Sequence, residues 1–138
     1  MKIPQIPCKI EAYAAVNPSE DPEKVQHAIS NVLQDMNFRY ESGSIKGISN
    51  DLNSLSKIYE TIRSRKSIKT YRRQMRNNLG DDTTWFYLNK QAAFVNVIAL
   101  CAAAEESPLG PIKILLHSKR IDAIMEWLVP FPSEHSDD

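Results

Sequence analysis

From Cys8 to Val16 apolar and polar positions alternate. Cys8, Ile10, Ala12, Ala14 and Val16 share one face, while Lys9, Glu11 and Tyr13 point the other way. A period of two predicts a strand with one wet face. The period then changes: Val25, Ala28, Ile29, Val32 and Leu33 fall at i, i+3, i+4, i+7 and i+8, the stripe of a helix. Before it, Asp21 suits an N-cap, Pro22 the first helical position and Glu23 the positive end of the dipole. Phe38 and Tyr40 alternate with Arg39 and Glu41 up to a Ser42-Gly43 break, and Ile45 and Ile48 flank Gly47. One strand, a turn and a short extended piece are predicted there, with Ser49 or Asn50 as the next cap.

Leu52, Leu55, Tyr59 and Ile62 make the stripe of a second helix. Ile68, Tyr71, Met75 and Leu79 make that of a third, which Ser67 caps and Gly80 stops. Thr83 to Leu88 is β-branched and aromatic and predicts a strand. Asn89-Lys90-Gln91 reads as a polar turn, and the apolar Phe94 to Cys101 as another strand. Pro108-Leu109-Gly110-Pro111 marks a turn before a strand over Ile112 to Leu116. A short helix follows, with Ile121, Ile124, Met125 and Leu128 inward and Ser118 as candidate cap. This order favours α+β over a doubly wound parallel sheet: a single mixed or antiparallel sheet with helices packed on one face.

A chain of 138 residues, 42% hydrophobic and 25% charged, is long enough for one domain with its own core. Order is expected over about residues 8–130, followed by an acidic tail over 131–138. Cys8 and Cys101 have no His or Cys at ligand spacing, and three scattered histidines complete no zinc set. Neither a metal nor another cofactor is expected. The amino terminus is too short and too broken by proline for a signal peptide, and no apolar run reaches the ~20 residues of a membrane helix. The expectation is a soluble cytoplasmic protein, off the membrane, with two buried thiols in a reducing compartment.

Charge changes the picture more. The net charge is zero, yet Lys57, Arg63, Arg65, Lys66, Lys69, Arg72, Arg73 and Arg76 crowd together with Glu60 as the one acid among them. Such a local excess costs self-repulsion in the compact state and points to a partner that neutralises it. On the third helix Lys69, Arg72, Arg73 and Arg76 form one stripe beside the apolar face, and arginine forks suit phosphate. On the second helix the cations scatter. A solvated face with stems lying over the core edge is the bland alternative. Lys66, Lys90 and Gln91 are candidate auxiliary contacts. Trp85 and Tyr87 share the strand face opposite Phe86 and Leu88; they stack exposed bases or, the preferred expectation, pack under helices. The sequence contains no glycine-rich phosphate loop, nucleophile elbow or His-x-x-x-His pair, and no enzyme is expected.

Three segments are more specific: Ser19-Glu20-Asp21-Pro22-Glu23-Lys24-Val25, Leu88-Asn89-Lys90-Gln91-Ala92-Ala93-Phe94 and Pro108-Leu109-Gly110-Pro111-Ile112. In their order and spacing the chain resembles a family of small archaeal proteins of uncharacterised function, commonly labelled RNA-binding or exosome-like. The resemblance runs from about Cys8 to Pro130. It implies a fold similar to the ribosomal protein that binds 5S rRNA, a sheet covered on one face by helices, and it raises the RNA reading. Two positions depart from the family pattern. Lys69 stands where it has an acid near the start of the third helix, and Asn96 where it has glycine.

The leading expectation is a non-catalytic RNA-binding protein that holds phosphates with Lys69, Arg72, Arg73 and Arg76, assisted by Lys66, Lys90 and Gln91. The alternative is a protein-interaction or assembly module, a homodimer among its forms, whose basic helix meets an acidic surface. An enzyme ranks third and needs a pocket gathering Lys90, Gln91 and His117.

Overall fold

In the computed structural model, which describes residues 1–132, six strands form one sheet. They are β1 (Lys9–Ala15), β2 (Asn37–Glu41), β3 (Ser44–Ser49), β4 (Thr83–Leu88), β5 (Leu100–Cys101) and β6 (Ile112–His117). The spatial order is β2-β3-β1-β6-β4-β5 and every pairing is antiparallel. The helices are α1 (Pro22–Val32), α2 (Ser56–Ser64), α3 (Ile68–Asn77), α4 (Lys90–Phe94) and α5 (Ile121–Leu128). The fold is α+β, as the order of periods predicts. No helix among the described residues is long and apolar enough to cross a membrane. The acidic part of the tail, from residue 133 onward, lies outside the described residues.

Alternation along the strands decides which face is covered. Ile10, Ala12, Ala14, Phe86, Leu88, Ile112, Ile114 and Leu116 point to one side, where they meet Val25, Ile29, Ile58, Ile62, Met75, Ile124 and Leu128 in a single core. Tyr13, Ile48, Trp85, Tyr87 and Leu115 point to the other side and take no part in that core. Helices therefore cover one face only, and the preferred expectation that Trp85 and Tyr87 lie under helices is corrected. Their strand carries the apolar side chains Phe86 and Leu88, fully buried, on the alternate positions, and a strand buries both faces only where layers lie on both.

Local signals hold at α1, where the Asp21 carboxylate accepts from the Glu23 N–H at 2.9 Å. Ser42 and Gly43 are both at positive φ, 22° and 84°, and link β2 to β3 as a two-residue hairpin turn. The short extended piece is thus a full strand. Elsewhere tertiary contacts overrule the pattern. α4 takes the place of the expected polar turn, beginning at Lys90 because the Asn89 side chain caps it, accepting from the Ala92 N–H at 2.9 Å. The strand expected over Phe94 to Cys101 is, after the end of α4, turn and irregular chain as far as residue 99. Asn96 ends this turn at φ 63°, a left-handed conformation that asparagine tolerates in place of glycine. Only Leu100–Cys101 then pairs with β4.

Three smaller expectations also change. Ser67 precedes α3 but makes no side-chain cap; its hydroxyl donates to the Ile62 carbonyl instead. α3 stops at Asn77, so Leu79 leaves the apolar stripe and is exposed, and Gly80 follows the end rather than making it. Ser118 accepts from the Arg120 N–H at 3.1 Å and donates to the Pro7 carbonyl at 2.7 Å, which ties the amino-terminal segment to the start of α5.

Candidate nucleic-acid interface

The roll of α3 sets where its cations point. Ile68, Tyr71 and Met75 are buried, and the Tyr71 ring meets Phe86 edge-on at 5.8 Å. Thr84 donates to the Met75 carbonyl at 2.6 Å, and Asn78 to the Trp85 carbonyl at 2.9 Å, locking the end of the helix to β4. Burial pushes the Tyr71 hydroxyl up to about 12, so it stays a neutral phenol. At 100° per residue, Lys69, Arg73 and Arg76 then fall within an arc of roughly 60° on the exposed side. All three are exposed, as is Lys66 in the turn before α3, where φ is 51°.

Arg72 is different. It sits between that arc and the buried face, is 8% exposed, and donates from Nη1 to the Pro130 carbonyl at 2.6 Å. Its guanidinium lies over the Phe131 ring at 4.5 Å, with Arg76 over the same ring at 4.9 Å. Arg72 is therefore removed from the expected set of phosphate contacts: its fork already holds the segment after α5.

The scattered cations of α2 serve a similar end. Arg63 donates to the Leu128 and Trp127 carbonyls at 3.2 and 3.0 Å and stacks on Tyr59 at 3.4 Å. Lys57 donates to the Asn31 carbonyl at 3.3 Å, and Arg65 to the Ile98 carbonyl at 3.2 Å. Neither α1 nor α5 has a basic residue in its own last turn. Lys57 and Arg63 supply that charge from outside, where the negative end of a helix dipole favours it. Half of the basic run is thus structural.

Lys90 is also removed from the contact set. It is 0% exposed, and its ammonium donates to the Ala15 carbonyl at 2.9 Å, the Leu109 carbonyl at 2.8 Å and Glu20 Oε1 at 2.9 Å. Three donors meet three acceptors, leaving none for a phosphate. Asn17 donates to the same Glu20 oxygen and to the Leu109 carbonyl, while Ser107 accepts the Lys90 N–H and donates to the Gly110 carbonyl. The three segments that carried the family resemblance meet here, so their shared pattern is that of a buried ion pair. Gln91 is exposed at its edge and donates to the Pro108 carbonyl at 3.3 Å. His117 ends β6 and lies opposite Lys9, roughly 17 Å along the strand from Ile112. Gln91 and His117 line separate pockets, and Lys90 lines neither of them.

Burial alone raises the Glu20 pKa, but hydrogen bonds from the Asn17 side chain and N–H, together with Lys90, outweigh it and hold the carboxyl below its ordinary 4.5. A group depressed in the folded state adds stability above its unfolded pKa and loses it as pH falls through the folded one. The denaturation midpoint is therefore expected to fall between about pH 5 and pH 3, with the Glu20 share of that fall missing in Glu20→Gln. Urea unfolding of both proteins at each pH measures it. The Cys8 thiol, raised by burial to about 11, stays protonated and inert throughout.

A family model described as RNA binding matches residues 9–118. The chain is 34% identical over 122 residues to the UPF0201 protein of Methanothermobacter thermautotrophicus, covering 88% of this chain and 91% of that protein. It is 36% identical over 126 residues to the UPF0201 protein of Sulfurisphaera tokodaii, covering 88% and 87%. Among solved structures, a UPF0201 protein from Methanococcus jannaschii superposes with a TM-score of 0.77 at 24% identity, over 91% of this chain and 96% of that one. That likeness concerns the fold.

Proposed function

The chain belongs to the archaeal UPF0201 family, matched by the RNA-binding model, and we propose that it binds RNA without catalysis, holding phosphates with Lys66, Lys69, Arg73 and Arg76. One observation supports this most directly. These four exposed cations lie along α3 and the turn before it, and none has a carboxylate within 4.0 Å among the described residues. The ion pairs present lie elsewhere, at Glu11, Glu41 and Glu20. An exposed cluster of one sign with no internal counter-charge takes its counter-charge from outside.

From Lys69 to Arg76 the helix rises roughly 10 Å, enough to follow a short stretch of backbone. Three of the four heads, Lys69, Arg73 and Arg76, lie on one arc, and Gln91 remains available at a separate edge. Titrating labelled single-stranded RNA at several salt concentrations tests the reading. Four phosphates give a log–log slope of about −3, at roughly −0.7 per phosphate. A slope near zero, or no binding at moderate salt, overturns it. Charge reversal at Arg73 and Arg76 that breaks up a protein complex while RNA affinity holds assigns the stripe to assembly instead.

A further inference from the structure

We propose that the uncovered face of the sheet binds unpaired RNA bases, stacking them on Trp85, Tyr87 and Tyr13 while Lys113 and Lys46 meet the phosphates between. This rests on the RNA reading above and adds a second surface, on the side of the sheet away from α3. The strand register builds it. Arg39 lies opposite Lys46, Lys46 opposite Tyr13, Tyr13 opposite Lys113, and Lys113 opposite Tyr87. One row of cations and aromatic rings thus crosses five strands. At ~4.8 Å between strands it spans roughly 19 Å.

Trp85 stands in the neighbouring row, with ring centroids 4.9 Å from Tyr87 and planes at 57°. The two rings form a step rather than a closed sandwich. The Lys113 ammonium lies 4.6 Å from the indole, and that of Lys46 5.3 Å from the Tyr13 ring. Such contacts at half-exposed sites are weak, so a base replaces the ammonium on the ring and frees it for the adjoining phosphate.

Charge selects the occupant. The face carries Lys9, Arg39, Lys46 and Lys113 against Glu11 and Glu41. Glu11 is already engaged by Lys9 at 3.1 Å, Lys46 at 3.5 Å and the Tyr13 hydroxyl, and Glu41 by Arg39 at 3.2 Å. Lys113 has no carboxylate partner among the described residues. A second copy packed face to face would set these cations against their own kind, with the carboxylates spent. A polyanion with flat apolar bases matches both features. The bases must be unpaired, because only then do their π-faces reach a sheet.

The test compares single-stranded and duplex RNA. Trp85→Leu/Tyr87→Leu is expected to lose at least ~10-fold in affinity for the single strand, with duplex affinity unchanged. In Trp127→Phe, Trp85 is the only remaining indole, and its emission is expected to be quenched by single-stranded RNA and not by duplex. If the wild-type protein binds neither RNA, the RNA reading fails and this surface with it. If it binds but the leucine variant binds as tightly, or Trp85 emission does not change, the sheet site is overturned while the α3 reading stands. A dimer dissolved by the leucine variant, with RNA affinity intact, assigns the face to a second copy and also overturns it. Should the leucine variant not fold, the Trp85 emission decides alone.

Discussion

Lys90→Ala is expected to destabilise the protein by about 3–5 kcal/mol, the cost of breaking a buried ion pair from one side. The ammonium it removes is fully buried and makes three hydrogen bonds. What remains is the Glu20 carboxylate, whose side chain is 7% exposed, and two main-chain carbonyls that have lost the ammonium, Leu109 keeping only its bond from Asn17. For a domain of this size the melting temperature falls by on the order of 10 °C. Calorimetry or urea unfolding measures it. Lys90→Met with Glu20→Gln is expected to recover part of the loss, because no buried charge is then left alone. A single variant as stable as the wild type would sink the structural assignment. The pair joins the loop after β1, the start of α4 and the turn before β6, segments 70 and 75 residues apart in sequence. It holds the end of the sheet nearest α1.

Replacing Lys66, Lys69, Arg73 and Arg76 together by glutamine is expected to weaken RNA binding roughly 600-fold at 0.1 M salt. Each phosphate contributes about fivefold between 1 M and 0.1 M salt, and four such contacts multiply. The salt slope becomes shallower by about 3, whatever remains belonging to cations elsewhere. Stability is expected to hold, since these heads make no hydrogen bond or ion pair among the described residues and lie on the surface. Losing like charges also relieves self-repulsion. Anisotropy titrations at several salt concentrations, with melting curves as control, give the result. An affinity within threefold of wild type and an unchanged slope would remove the α3 stripe as the RNA site. Arg63→Gln is the contrasting case: its loss falls on stability, through the end of α5, and not on RNA.

Much of the fold could be read locally. The alternation in β1 and β6, the Asp21 cap with its 3.6-residue stripe, and the stripe of α3 as far as Met75 depend on neighbours a few residues away. So does the position of Lys69, Arg73 and Arg76 on one side of a helix. Leu52 and Leu55, by contrast, form a separate 3-10 turn before α2, which buries Ile58 with Ile62. The difference over Phe94 to Cys101 has a definite cause: an apolar run predicts burial but not its backbone, and here α4 ends at Phe94 and the left-handed Asn96 turns the chain before Leu100 can pair. The polar triplet around Lys90 reads as an exposed turn, yet Lys90 is fully buried. Its three acceptors come from distant loops, and no local pattern announces them. Tyr13, Lys46 and Lys113 form no local pattern for the same reason, since they lie on three strands and share a row only through the register.

The basic run states the division most plainly. Periodicity and charge count were enough to place six of the eight cations on two helices, with Arg65 and Lys66 falling in the turn between them. Which of them are free was settled by contacts the chain makes far from itself: Lys57 reaches a carbonyl 26 residues away, Arg72 one 58 away and Arg63 one 65 away. Side-chain type and spacing are properties of the segment, and they dictate its helix and its faces. Whether a guanidinium meets a helix end or water depends on what the rest of the fold brings to it, and helix ends arrive only when the layers pack.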